Sequence, residues 1–203
     1  MCRIIIICSI LFMATASAND CTMNIECGKC DRKSEFAWNP DTSFITDQLA
    51  YFYQLPELIE AHYQQGNINA VDKYANDYLD LALAYRCNWN HGNAIHEANR
   101  YLGLISLRKN DIDKATIYLL RASKTPGSMQ IGAFGPELDL ANLLLEKGKH
   151  AEVIEYLSKM DLIWDNDQQI NKWISKIEED KKITLQRPSE AQLQQRFASK
   201  NIF

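Results

Sequence analysis

His91–Gly127 reads HGNAIHEANRYLGLISLRKNDIDKATIYLLRASKTPG. Ala94, Ala98, Tyr101, Leu102 and Ile105 recur at helical steps, which places them on one face of a helix over His91–Lys109. Asn90 stands where that helix needs an N-cap. Asn110 marks a turn, Asp111 caps a second helix over Ile112–Ser123, and Asp113 adds acid to its first turn. Two amphipathic helices joined by so short a turn fold back on each other and bury their facing stripes. This hairpin decides the fold.

The same layout recurs on both sides. Thr46–Gln65 and Ile68–Arg86 form a pair about Gly66, with Pro56 marking a kink or a new helix start. Pro136–Lys147, with proline at its first position, pairs with Ala151–Lys159 about Gly148. Asp165–Ile183 is a longer single helix with Ile170, Trp173, Ile174 and Ile177 on one face. No stretch alternates with period two, so the expected fold class is all-α. The loop Lys124–Gly135 is long for a helix connection, and is read either as a partner-binding loop with Phe134 as an anchor or as a packed connector.

The whole chain has 203 residues, is 46% apolar and 24% charged, and carries a net charge of -4. That excludes a disordered tail and argues against a general nucleic-acid binder, which needs surplus Lys and Arg. Residues 1–18 read as a signal peptide: Arg3, an apolar run over Ile4–Met13, then Ala16-Ser17-Ala18. The run is roughly half the ~20 residues a membrane span needs. The expected product is exported, periplasmic or secreted, with a charge of -5. It divides into a Cys-bearing segment (19–40), a helical domain (41–183) and a basic tail (184–203).

Export gives the cysteines a meaning. Cys21, Cys27, Cys30 and Cys87 remain, an even number that favours structural disulfides with three possible pairings. A bridge to Cys87 would constrain the unfolded chain by about 3 to 4.7 kcal/mol. The Cys27-Gly28-Lys29-Cys30 motif leaves a thiol oxidoreductase or a zinc site as alternatives. Neither a βαβ setting nor a second ligand pair accompanies it.

Leu102-Gly103, Ala115, Leu119 and Ala122, with Pro126 beyond, resemble the tetratricopeptide repeat. With Asn110 at the turn, the matching turn positions are Gly66 and Gly148, 44 and 38 residues away against 34 in a regular array. The flanking pairs then offer Leu58, Val71, Ala75 and Tyr78, and Leu140-Ala141, Val153 and Leu157. The resemblance implies a right-handed stack of about three antiparallel helix pairs plus a C-terminal capping helix. Over about residues 91–165 the chain is also similar to an uncharacterised group of bacterial helical-repeat proteins. That implies a bacterial origin and brings no catalytic residue or ligand.

In tetratricopeptide repeats the first helix of each pair lines a groove. The resemblance assigns to it Tyr53, Glu60, Tyr63, Gln64, Glu97, Arg100, Leu104, Arg108, Asn142 and Glu146. Tyrosines, a leucine and mixed charge suit a peptide or a partner's helix. The alternative occupant is the chain's own N-terminal segment or C-terminal tail. Asn93, His96, Glu97 and Arg100 share one helical face. They read either as a histidine-centred catalytic site or as a polar network without chemistry. No nucleophile in a recognisable context joins them, and His91 and His96, five residues apart, cannot grip one metal ion. Lys181–Phe203 holds five basic residues against Glu190, giving +4 on a body of -9. It reads as a solvated tail in which Ser189 caps a short helix carrying Leu193 and Phe197. The expectation is a binding protein of the bacterial envelope, with no enzyme activity, cofactor, metal or nucleic-acid partner.

Overall fold

The structure, a computed structural model, describes residues 47–166 and 168–199. The leader, residues 19–40, Cys21, Cys27, Cys30 and the Phe197 side chain lie outside the described residues.

Among the described residues there are nine helices and no strand: α1 (Asp47–Gln64), α2 (Ile68–Ala84), α3 (His91–Arg108), α4 (Ile112–Ala122), α5 (Met129–Phe134), α6 (Asp139–Glu146), α7 (His150–Met160), α8 (Gln169–Glu178) and α9 (Glu190–Ser199). Helices α1/α2, α3/α4 and α6/α7 pack as successive pairs, as the periodicity requires. First helices touch along one layer, α1 on α3 and α3 on α6; α4 meets α7 on the other side, and α8 closes against α7. The fold is an all-α stack of helix pairs.

Every pair turns in the same way. Gly66, Asn110 and Gly148 adopt φ of 74°, 60° and 74°. After each, an amide reaches back to close the preceding helix: Asn67 N–H donates to His62 O (2.9 Å), Asp111 N–H to Ser106 O (2.9 Å) and Lys149 N–H to Leu144 O (3.0 Å). These are helix ends satisfied by a left-handed residue, which glycine adopts freely and asparagine tolerates. A fourth copy ends α8: Asp180 has φ 53° and Lys181 N–H donates to Lys176 O (2.9 Å). Asn67 and Asp111 then cap the next helix, their side chains accepting from Ala70 N–H (3.2 Å) and Lys114 N–H (3.0 Å).

Small side chains set the spacing between layers. Ala75, Ala82, Ala94, Ala98, Ala115 and Ala122 are all buried where α2, α3 and α4 meet. At Gly103 an added Cβ would lie 2.4 Å from Leu140 Cδ2, so α3 and α6 approach as closely as a glycine permits. Phe52, Tyr78, Leu119, Tyr156 and Leu157 fill the larger gaps. Each such burial contributes roughly 1.5–3 kcal/mol.

Pro56 starts no new helix, and two other local expectations need correction. Helix α1 continues through Pro56, because Phe52, Leu55 and Ile59 on both sides of it are wholly buried and packing outweighs one missing backbone bond. Pro136 does not open α6, which begins three residues later; Gly135 (φ 84°) ends α5, and Pro136 is buried in the connection. Asn90 sits at the N-terminus of α3 without capping it: its amide donates to Tyr78 Oη (2.7 Å) and its carbonyl accepts from Asn93 (3.0 Å).

Candidate functional site

The polar face of α3 looks toward α1, α5 and the 135–137 connection, and the space between them is a cavity of about 770 Å³. Helix α1 supplies Pro56, Glu57 and Glu60; α3 supplies Asn93, Glu97, Arg100 and Tyr101; α5 supplies Gln130, Ile131 and Phe134. Glu137 and Arg187 close one side. The long 124–135 loop is held against α3. Thr125 Oγ1 donates to Gly92 O (2.7 Å), Ser128 Oγ donates to Asn93 Oδ1 (2.5 Å) and caps α5 by accepting from Ile131 N–H (3.0 Å). An added Cβ at Gly92 would come 1.8 Å from Gly127 O, so α3 begins with a glycine where the loop crosses it.

The floor is an ionic chain. Glu97 Oε2 accepts from both Arg100 Nε (3.0 Å) and Nη2 (2.8 Å), and Arg100 Nη1 reaches Asp139 Oδ2 (2.6 Å) at the start of α6. His96 Nδ1 lies 3.3 Å from Glu97 Oε1, and its Nε2 lies 2.9 Å from Tyr156 Oη on α7. The carboxylate beside Nδ1 places a proton on that nitrogen, and Nε2 meets a Tyr156 hydroxyl that also lies 3.5 Å from Glu137 O. Burial alone would raise the Glu97 carboxyl, but the His96 hydrogen bond and the Arg100 charge outweigh it and lower it to about 2. Burial, then the neighbouring Glu97 charge, pushes the Tyr156 phenol well above its ordinary value. Against burial, Glu97 and Asp139 raise the Arg100 guanidinium.

The histidine itself is 1% exposed, with both ring nitrogens engaged. It ties α3 to α7 and presents nothing to the cavity. The described lining contains no serine, cysteine, lysine or histidine. What it offers is four carboxylates (Glu57, Glu60, Glu97 and Glu137), two guanidinium groups and aromatic or apolar walls from Tyr101, Phe134, Ile131 and Pro136. Such a lining offers contacts of shape and charge.

Of the residues assigned to the groove from sequence, Glu60, Glu97 and Arg100 line the cavity. Glu60 accepts from Tyr101 Oη and from Gln64 Nε2 (2.6 Å), so Gln64 supports the wall from outside. Tyr63 meets Tyr101 edge-on at 5.3 Å, and the Arg108 guanidinium lies 3.6 Å over the Tyr63 ring. Tyr53 is at another place, stacked on Trp89 at 5.7 Å and accepting from Asn88 (2.7 Å). Leu104 is 2% exposed, in the core rather than on a groove. Glu146 is exposed near the end of α6.

Asn142 is already occupied. Its Nδ2 donates to Leu185 O (3.0 Å) and its Oδ1 accepts from Leu185 N–H (2.8 Å). Leu185 is 2% exposed and Arg187 pairs with Glu137 (2.7 Å), so the start of the tail is docked, not solvated. Ser189 and Gln192 cap α9 reciprocally, as its sequence suggested.

Sequence reasoning missed Tyr101, Gln130, Glu137 and Arg187 as cavity residues. The signal for Gln130 and Phe134 was present in the unusual length of the 124–135 loop. Among the described residues, no three His, Cys, Asp or Glu side chains gather as a metal site, and no helix is long and apolar enough to cross a membrane. No protein-family model, curated protein or solved structure matches this chain.

Proposed function

We propose that this is an exported, tetratricopeptide-like protein of the bacterial envelope that binds a segment of another protein in the cavity between α1, α3 and α5. The observation that carries the reading is the cavity itself, about 770 Å³, with aromatic walls and charged side chains of both signs. Space of this size, lined by Tyr101, Phe134 and Pro136 and rimmed by carboxylates, suits a peptide side chain or two and a stretch of backbone. The recurrence of one turn geometry at Gly66, Asn110 and Gly148 supports the repeat register. Export is supported by the apolar leader and its Ala16-Ser17-Ala18 ending.

A disulfide staple belongs to the same reading. Cys87 is disulfide-bonded and follows the end of α2, so a bridge there fastens the N-terminal segment to the first helix pair. Mass-spectrometric mapping of the unreduced protein tests it: a peptide pairing Cys87 with Cys21, Cys27 or Cys30 is expected, and a free Cys87 thiol removes the staple.

The binding reading is tested by selecting peptides from a random library and measuring their affinity for a Glu57→Lys, Phe134→Ala variant. Both positions are exposed, so the helical circular dichroism stays unchanged while affinity falls by about tenfold or more. Failure to enrich any sequence, or affinity indifferent to both substitutions, overturns it.

A further inference from the structure

Residues 181–189 leave the helical pattern after Asp180 and run back across α6. Exposure alternates along them: Ile183 is half-buried and Leu185 buried, while Lys182, Thr184 and Gln186 are exposed. A period of two marks an extended chain laid on a surface by one edge, so Ile183 and Leu185 face the protein, while Arg187 is itself exposed and reaches back through its pair with Glu137. The segment is held as a ligand would be. One side-chain amide, that of Asn142, satisfies both main-chain groups of Leu185, at 2.8 and 3.0 Å, as a neighbouring strand would. That contact reads backbone. Leu185 fills an apolar site, and two residues on, Arg187 reaches Glu137 at 2.7 Å on the cavity edge.

The geometry points to this strap as an in-chain occupant of a peptide site, whose partner is an extended, basic segment of another protein with the pattern apolar-x-Arg. The inference rests on the proposed groove-binding function and names its ligand chemistry. Charge complementarity supports it. It is carried by the Arg187–Glu137 pair at 2.7 Å, while Lys181 pairs with Glu179 beside it, Lys182 is exposed, and Asp139 is held by Arg100. Beyond Arg187 the strap passes through Pro188 into α9, and Glu57, Glu60 and Glu97 line the same cavity as Arg187. A segment that carries a further Lys or Arg beyond its arginine gains contacts the strap lacks. That surplus lets it displace the resident chain.

A labelled peptide of residues 181–189, KKITLQRPS, tests this in trans by fluorescence anisotropy. The full chain carrying Leu185→Asp and Arg187→Glu has its strap released. It is expected to bind the peptide about tenfold or more tighter than the unaltered chain does. Adding Asn142→Ala to that variant, or Leu185→Asp to the peptide, is expected to abolish binding. Equal binding to both proteins overturns the inference, as does no binding to a released variant with unchanged helical circular dichroism. A peptide with Pro188→Lys and Ser189→Lys is expected to bind tighter still at low salt, and an affinity no better than the native peptide's overturns the extension into the cavity. If the double variant fails to fold, Asn142→Ala alone serves. The Leu185 amide should exchange with deuterium about tenfold faster while α6 amides hold, and undiminished protection overturns the inference. The cavity reading is probed separately through Glu57 on α1 and Phe134 on α5, so its failure is distinguishable from failure of the strap.

Discussion

Glu97 shows how one side chain serves both the stack and the cavity. Its carboxylate faces the cavity, yet it also closes a chain running from Tyr156 on α7 through His96 to Arg100 and Asp139 on α6. The stripe Asn93, His96, Glu97 and Arg100 was legible from helical spacing, and so was the Glu97–Arg100 pairing. The fate of His96 was not. Its partner Tyr156 lies 60 residues away, and only the docking of the third pair brings it within 2.9 Å. The lowered Glu97 pKa has a definite sign. In the unfolded chain this group titrates near its ordinary 4.5, and in the folded protein near 2. Its stabilisation is therefore complete above about 4.5 and is lost as pH falls toward 2. By linkage the difference is on the order of 3 kcal/mol. Glu97→Gln is expected to remove that part of the acid sensitivity: urea unfolding between pH 5 and 2.5 should show a shallower decline than the unaltered chain. The variant is also less stable at pH 7 by about 3 kcal/mol, because Arg100 loses its carboxylate partner. An identical pH slope in both proteins argues against the network.

At the scale of elements, turns explain why so much of the fold could be read in advance. Gly66, Asn110 and Gly148 were recognisable because a capping or helix-starting residue follows each, and all three share one left-handed geometry. The fourth, at Asp180, was hidden because no helix follows it: the chain enters the strap, and the apolar pattern through Ile183 resembles more helix. Pro136 misled for a related reason. Proline suits a first helical position, but here it is buried in the connection that walls the cavity. The shared turn makes two opposite predictions. Gly148→Ala meets no atom within 4 Å, so its cost is purely that of a side chain at positive φ, about 1 kcal/mol. Asp180→Gly relieves the same strain and is expected to stabilise by a few tenths to about 1 kcal/mol. Urea unfolding of both variants checks the pair, and changes of the same sign contradict a common motif.

For the whole molecule, one continuous core runs from Phe52 on α1 to Leu185 in the strap, and the helices pack on successive neighbours along it. Helix α1 packs on α2 and α3, whereas α8 packs on α7, at the other end of the order. Yet the cavity draws on distant parts at once, from α1 through α3 and α5 to Arg187 beyond α8. The sequence could place helices in pairs because each pair is a local pattern. It could not place Glu137, Arg187 or the strap, since those contacts arise only when pairs stack and the chain returns. The two ends should then respond separately to damage. Trp173 on α8 is 5% exposed and lies 6.0 Å from the Trp164 ring in the preceding loop. Trp173→Ala removes about 3–5 kcal/mol of packing there. In a nearest-neighbour stack that loss stays near its origin under conditions where the remainder is folded. Native-state hydrogen exchange is expected to quicken by about tenfold or more in α8, with amides of α1 and α2 altered less than about twofold. Uniform acceleration across all helices would mean a single cooperative unit. The cavity would then sense any change at α8 through global stability, whereas a stack confines it to the end that the strap crosses.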